Sequence, residues 1–419
     1  MIKILQVRNI DSFVESRRQK TSEKDKKIVQ SILNDVRKNG DSAVKKYERK
    51  FNGRKTSQLR VSAKEIKEAR SKISREEVTA LRNMSARLCI QEGIPSPKYR
   101  YRRVRGSRKF VPIPSVGCYI PGGQARYPSS VVMSVIPAKI AGVKRIVVVS
   151  PPGRDGKIDP LTIVAAKRFG ATEIYKVGGA QAIAALAYGT KSIPKVDKIV
   201  GPGGKFVSIA KSFVSDQTAI DMVAGPTELG IIANASSNPE LVALDLISQA
   251  EHSKDTMCFV ITQSKAMAKQ IQKSIEKLIP GTERSSIIKE SISKNGFIAI
   301  CKNENEVIEL ANKIAPEHLE LMVGNARSLS KKITGAGLLL IGKNTPSAAS
   351  DYILGTNHIL PTNGFGRTRG GLGVLDFLKL QTVIESKKSG LRTILKSLKA
   401  LTDAEDLPNH YKAVKRRLD

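Results

Sequence analysis

Apolar positions along this chain fall into two regimes. Through the first hundred residues they recur at helical spacing. Ile28, Ile32, Leu33 and Val36 share one face of a segment that starts at Ser22 and stops at Gly40, which predicts a helix over 22–39. The same period predicts helices over 62–71 and 74–92. From residue 116 the pattern becomes short apolar runs, each closed by glycine and followed by a helical stretch. Residues 116–120 run into Pro121-Gly122-Gly123 and a helix to Ala141, with a strand after it over 145–150. Residues 174–177 lead into Gly178-Gly179 and an alanine-rich helix ending near Gly189, and 198–200 into Gly201-Pro202-Gly203-Gly204 and a helix to about Val214. Strand, glycine turn and helix in alternation predict a parallel α/β sheet. Such turns suit a phosphate-bearing ligand. None is a complete G-x-G-x-x-G, however, and no acidic residue stands ~20 residues on, so the turns alone do not identify a nucleotide. Beyond Thr227 the alternation resumes, with strands over 229–233, 257–262, 297–301 and 337–341 and helices over 239–252, 266–278 and 304–314. The tail 377–419 reads as helical and basic. The expected fold class is α/β: two incomplete Rossmann-like domains, an N-terminal helical segment and a helical C-terminal tail.

Composition narrows the function. The chain has 419 residues, with 71 Lys+Arg against 38 Asp+Glu and a formal charge of +33. Its length predicts two or three domains. The densest basic run, KYRYRRVRGSRK (98–109), interleaves Tyr99 and Tyr101 with arginines. It reads either as a strip that tracks phosphates or as an edge strand with solvated arginines. The excess lysine is otherwise spread over nearly every segment, and no nucleic-acid-binding motif accompanies it, so no specific nucleic-acid partner is expected. No run of ~18 apolar residues occurs and no secretory segment follows Met1, so a soluble cytoplasmic protein without a membrane partner is expected. Cys89, Cys118, Cys258 and Cys301 lie far apart with no CxxC pair, which argues against a disulfide framework and a cysteine-held zinc.

All four histidines lie in the second half, each with a carboxylate close in sequence: Glu251-His252, Glu317-His318, Asp351 with His358, and Glu405 with His410. Gln249 and His252 are three apart on a predicted helix, so both can face one point. Two histidines and one aspartate make a zinc set with an open coordination position. Pro316 disfavours helical geometry at Ala315, so Glu317-His318 is expected to open a turn or helix, where a positive field suits groups that exchange protons.

These residues sit within longer motifs: GCYIPGG (117–123), VGGAQAIAALAYGT (177–190), GPGGKFVSIAK (201–211), AIDMVAGPTE (219–228), DLISQAEH (245–252), APEHLEL (315–321), SDYILGTNHILPT (350–362) and AEDLPNH (404–410). Together and in this order they resemble histidinol dehydrogenase; the first hundred residues match more loosely. The resemblance implies a zinc- and NAD-dependent oxidoreductase that converts L-histidinol through L-histidinal to L-histidine, the last steps of histidine biosynthesis, with two NAD and one zinc ion per subunit. By motif position the metal ligands are Gln249, His252, Asp351 and His410. The substrate pocket adds Thr227, Glu317, His318 and Glu405, with His358 close by, and Tyr119, Gln181 and Gly204 fall where NAD is contacted. His318 is expected to be the base and Glu317 to activate the hydrating water. The tail with Glu405 and His410 is expected to reach the partner's site in a homodimer.

The implied domains are an arm over 1–20, a larger domain over 21–118 and 228–371 with the metal site, an inserted NAD-binding domain over 119–227, and the tail 372–419. Three departures stand out. Thr227 replaces the family's usual Ser, Gly204 its Asn, and Thr345-Pro346-Ser347-Ala348-Ala349-Ser350 a loop that usually carries Glu and Gly. Cys258 and Cys301 fall on predicted strands, and Cys118, beside the presumed cofactor turn, has no histidine near it in sequence, so water rather than a thiol is expected to attack the aldehyde. Two rival readings remain open: a zinc hydrolase using the same residues without a cofactor, and a polyanion-binding relative without catalysis.

Overall fold

The computed structural model describes residues 1–18, 22–53, 58–91, 98–101, 104–122 and 126–419. Two compact units emerge: Met1–Glu92 with Pro114–Asp376, and Gly93–Ile113 with Phe377–Asp419.

The first unit contains two parallel sheets. The smaller is built from β4 (Ser115–Tyr119), β5 (Arg145–Ser150), β6 (Glu173–Lys176), β7 (Lys198–Val200) and β8 (Ala219–Ile220), in the order β6-β5-β4-β7-β8. The larger is built from β1 (Lys3–Gln6), β9 (Glu228–Ala233), β10 (Met257–Thr262), β11 (Phe297–Ile300), β12 (His318–Met322) and β13 (Leu338–Ile341), in the order β1-β11-β10-β9-β12-β13. Every pair in both sheets is parallel. Runs such as RIVVVS and MCFVIT are continuously apolar because helices cover both faces of a parallel sheet. The expected α/β class and its parallel sheets are therefore present.

The helices Glu23–Asn39 and Asp41–Asn52 share one core with the smaller sheet, where Leu33, Val36 and Tyr47 pack among Tyr175, Ile183 and Leu186. The expected division differs in two ways. Of residues 21–118, expected in the larger domain, the helices Glu23–Asn39 and Asp41–Asn52 pack on the smaller sheet, and a boundary at 118/119 would cut the end of β4, the strand at the centre of that sheet. No helix among the described residues is long and apolar enough to cross a membrane.

The second unit is an antiparallel sheet of β2 (Lys98–Tyr101), β3 (Val104–Pro112) and β14 (Leu378–Ser386), in the order β14-β3-β2, followed by helices Lys388–Ala404 and Pro408–Lys415. The tail expected to be wholly helical thus opens with a strand, paired to β3 from Leu378↔Pro112 to Ser386↔Val104. Its Thr382-Val383-Ile384 run favours extended backbone. The basic run 98–109 falls on β2 and β3, with 102 and 103 outside the described residues.

Candidate active site

Strand order in the smaller sheet reverses between β4 and β7. A sheet of this kind leaves a crevice outside the carboxyl ends of its strands at such a point. A cleft of about 250 Å³ opens there, lined by Pro121 just beyond β4 and by Gly201, Gly203 and Gly204 just beyond β7. The larger sheet meets the same cleft with its amino edge, since Thr227 precedes β9 and Glu317-His318 leads into β12. His252, Asp351 and His358 complete the lining.

The sequence expectation for Glu317-His318 needs correcting: the pair opens a strand, not a turn or helix. Ala315 caps the helix Glu304–Ile314 in the left-handed region (φ 50°), which turns the chain so that Pro316 leads straight into β12. Glu317 Oε2 accepts from the Thr227 hydroxyl at 2.5 Å and from the Glu228 N–H at 2.9 Å. His318 Nε2 lies 3.1 Å from Asp351 Oδ1, and its Nδ1 lies 3.4 Å from the Glu228 carbonyl.

Charge is finely balanced here. Burial pushes the Glu317 carboxyl up, partly offset by His318 and by the Thr227 bond. Burial also opposes the charged form of His318, but the facing Asp351 and Glu317 outweigh it and push His318 up to about 9. Asp351 is buried as well, yet His318, His358 and His252 hold it below the usual carboxylate range. Burial pushes Glu228 up to about 8.

Around Asp351 the other groups fall into place. His358 Nδ1 bonds the Asp351 carbonyl at 2.8 Å and its Nε2 the Ser130 hydroxyl at 3.1 Å. His252 Nδ1 bonds the Gln249 carbonyl at 3.1 Å, which leaves Nε2 as its free lone pair. Gln249 donates through Nε2 to the Thr227 hydroxyl at 3.1 Å. The hydroxyl common to Ser and Thr is thus the part of residue 227 in use. Imidazole, carboxylate and side-chain amide oxygen form a donor set that suits a borderline dication. Among the described residues no three His, Cys, Asp or Glu side chains form a finished metal cage. The other expected ligand, His410, and Glu405 belong to the second unit and are exposed on it.

Of the expected cofactor contacts, Gly204 lines the cleft, and a Cβ at this position would meet open space. Tyr119 and Gln181 do not line it. The Tyr119 hydroxyl accepts from the Gly179 N–H at 3.1 Å, while Gln181 Nε2 and the Gly178 N–H donate to the buried Glu48 at 2.8 and 3.0 Å. The 178–179 turn, expected to suit a phosphate, therefore already has its donors engaged by protein groups.

Sequence reasoning passed over two pairs of charged groups. Lys211 pairs with Asp221, and together they bond both the carbonyl and the N–H of Gly201. Gly201 must be glycine, because φ is +111° and a Cβ would strike the Tyr119 carbonyl. The signal was Lys211 after the apolar Ile209-Ala210 and Asp221 between the apolar Ile220 and Met222.

The second pair is Glu320, two residues beyond His318 on the same face of β12, and the neighbouring carboxyl of Asp245. Glu320 also accepts from the Ser347 N–H at 2.6 Å, on the short helix that precedes Asp351. Burial, reinforced by the charge of Asp245, pushes Glu320 up. A carboxyl raised in this way keeps its proton in the folded chain where the unfolded chain has lost it, so stability falls as pH rises through that window. Glu320→Gln should flatten the pH dependence of the unfolding free energy between about pH 5 and pH 8 relative to wild type. Denaturant titrations at a series of pH values check this, and parallel curves would show that Glu320 is ionised in the fold.

Comparison with known proteins adds the family. Residues 15–418 match the family model described as histidinol dehydrogenase. The chain belongs to the histidinol dehydrogenase family. A histidinol dehydrogenase from Bacillus licheniformis is 40% identical over 94% of both chains, and one from Methanococcus maripaludis 43% identical over 93% of both. The crystal structure of histidinol dehydrogenase from Elizabethkingia anophelis superposes with a TM-score of 0.93 at 34% identity, covering 100% of this chain and 98% of that one. Like its family, the protein is an oxidoreductase. Membership of the histidinol dehydrogenase family accounts for a cleft that joins a Rossmann-like switch point to a cluster of imidazoles and carboxylates.

Proposed function

We propose that the protein oxidises L-histidinol through L-histidinal to L-histidine, with zinc bound and two NAD consumed. The reading is carried by one observation: Glu317, His318, His252 and Asp351 line the same cleft as the open Gly203–Gly204 turn. A hydrolase would need the first group without the second. A further cavity, at the ends of β4 and β5, shares Pro121 and Tyr127 with the cleft, which supports room for an extended dinucleotide.

Zinc would be held by Gln249, His252, Asp351 and, from the tail, His410, and would supply Lewis acidity toward the substrate's amine and imidazole. NAD would take a hydride from carbon in each oxidation. In the first oxidation His318 takes the hydroxyl proton as the carbon gives up its hydride, leaving the aldehyde. Glu317, held by Thr227 and Glu228, then takes a proton from the water that adds to the aldehyde carbon. His318 returns its proton to the aldehyde oxygen as the hydrate forms and is neutral again; the hydrate then gives up its second hydride while His318 accepts one of its two hydroxyl protons, giving the carboxylic acid. In the absence of a cation His318 holds its proton toward Asp351; a dication on that carboxylate would compete for it and leave Nε2 able to accept. Burial pushes up the thiols of Cys118, Cys258 and Cys301, which disfavours a reactive thiolate at each of these three. That supports attack by water. Buried free thiols also support a reducing, cytoplasmic setting.

The proposal includes a homodimer with shared sites. Leu380, Val383, Ile384, Ile394, Leu401 and Leu407 are exposed on the second unit, and its last helix buries none of its residues, a pattern that calls for a covering partner. His252→Asn and His410→Asn proteins should each be inactive alone and regain activity when unfolded together and refolded as mixed dimers. Failure to regain it would place both residues in one subunit's site.

The proposed function is tested by mixing purified protein, zinc, histidinol and NAD and following the absorbance of reduced nicotinamide. No signal at any substrate level would favour the hydrolase.

A further inference from the structure

Glu228 heads β9 beside the Glu317-His318 pair and is 3% exposed. A carboxyl group is expensive to bury unless its polar atoms are matched. Here every polar group of the residue has a partner. Its N–H donates to Glu317 Oε2 at 2.9 Å, and its Oε2 accepts from the Glu317 N–H at 3.3 Å. Its carbonyl faces His318 Nδ1 at 3.4 Å, and its Oε1 accepts from the Asn363 N–H at 2.9 Å. Three of the four contacts therefore go to the two residues to which the proposed function gives the proton transfers. The fourth ties the same residue to the segment that follows His358.

The Glu317 backbone is fixed from both sides. Its carbonyl accepts from the Leu338 N–H of β13 at 2.9 Å, and its N–H is met by the Glu228 side chain. The preceding Ala315 is in the left-handed region, a conformation costly for a residue with a Cβ, so the turn into β12 needs such anchoring to stay in place.

We propose that Glu228 is a positioning residue for the Glu317-His318 pair. Its carboxyl sets the direction of the Glu317 peptide and its main chain sets the Glu317 carboxylate and the His318 ring, without touching substrate. This assignment rests on the reading of Glu317 and His318 as the proton-transfer groups.

The test uses the full-length, zinc-loaded protein with Glu228→Gln and Glu228→Ala. A carboxyl offers an acceptor at each oxygen, whereas an amide offers one, so Gln can meet Asn363 or Glu317 but not both. The kcat for histidinol oxidation is expected to fall by roughly 10-fold in Glu228→Gln and roughly 100-fold in Glu228→Ala, the scale of a small misplacement of reacting groups. The KM for histidinol and for NAD, and the bound metal, should stay near wild type, because the side chain touches neither ligand. Rates within about threefold of wild type in both variants would overturn the proposal. So would a loss of metal, or a rise in KM that accounts for the change in kcat/KM. If Glu228→Ala does not fold, Glu228→Gln decides; if that variant also fails to fold, the role is structural and the proposal falls. Wild-type protein that does not oxidise histidinol would refute the functional reading, whereas active wild type with unaffected variants would refute this assignment alone.

Discussion

Replacing His318 by Asn is expected to slow histidinol oxidation by about 10²–10⁴-fold, the usual worth of a general base, with zinc and histidinol still bound. The size and polarity of Asn preserve the surroundings, since an amide can still hydrogen-bond toward Asp351 and the Glu228 carbonyl. What it cannot do is take a proton. Both oxidations need a proton removed from oxygen as hydride leaves carbon, so both should slow. Supplying the aldehyde directly should therefore not rescue the variant. Single-turnover rates from histidinol and from histidinal, together with metal analysis, make the check. Rates within tenfold of wild type would remove His318 from the proton-transfer role.

His252→Asn is expected to abolish activity by a different route, through loss of the metal. The ring of His252 is oriented by the Gln249 carbonyl at Nδ1, which leaves Nε2 to bind a cation. Loss of an orienting partner alone typically costs 10–100-fold in metal affinity, and loss of a ligand should cost at least about 100-fold. Dialysed His252→Asn protein should contain little zinc and should regain part of its activity at high zinc concentration. Stoichiometric metal in the dialysed variant would mean that the cation is held elsewhere.

These two positions were legible in the sequence because histidines are few and each stands beside a carboxylate. Much of the fold was legible too. β5, β7 and β10 and the helix Glu304–Ile314 fall at the expected residues, since strands buried on both faces read as unbroken apolar runs and a long amphipathic helix keeps its period. β12 was hidden by its own chemistry. His318 and Glu320 are buried polar residues where a strand pattern calls for apolar ones, so a sequence reading saw a helix start. β14 was hidden because its partner, β3, lies far away in sequence and no local period reports such pairing. The 178–179 turn misled for a related reason: Glu48, from a helix well over a hundred residues earlier, is what satisfies its donors. Lys211, Asp221 and Glu320 were likewise invisible, because burial is a tertiary property and charged residues are seldom buried. Glu228 stood within a recognised motif, but nothing local showed that its side chain turns back onto Glu317.

The most direct test of the central claim, one cleft carrying both oxidations, is the stoichiometry of a reaction run to completion with histidinol limiting and an aldehyde trap present. Two reduced nicotinamides per histidinol, with histidine as product and no trapped aldehyde, is the predicted result. One per histidinol with aldehyde in the trap, or none at all, would contradict it.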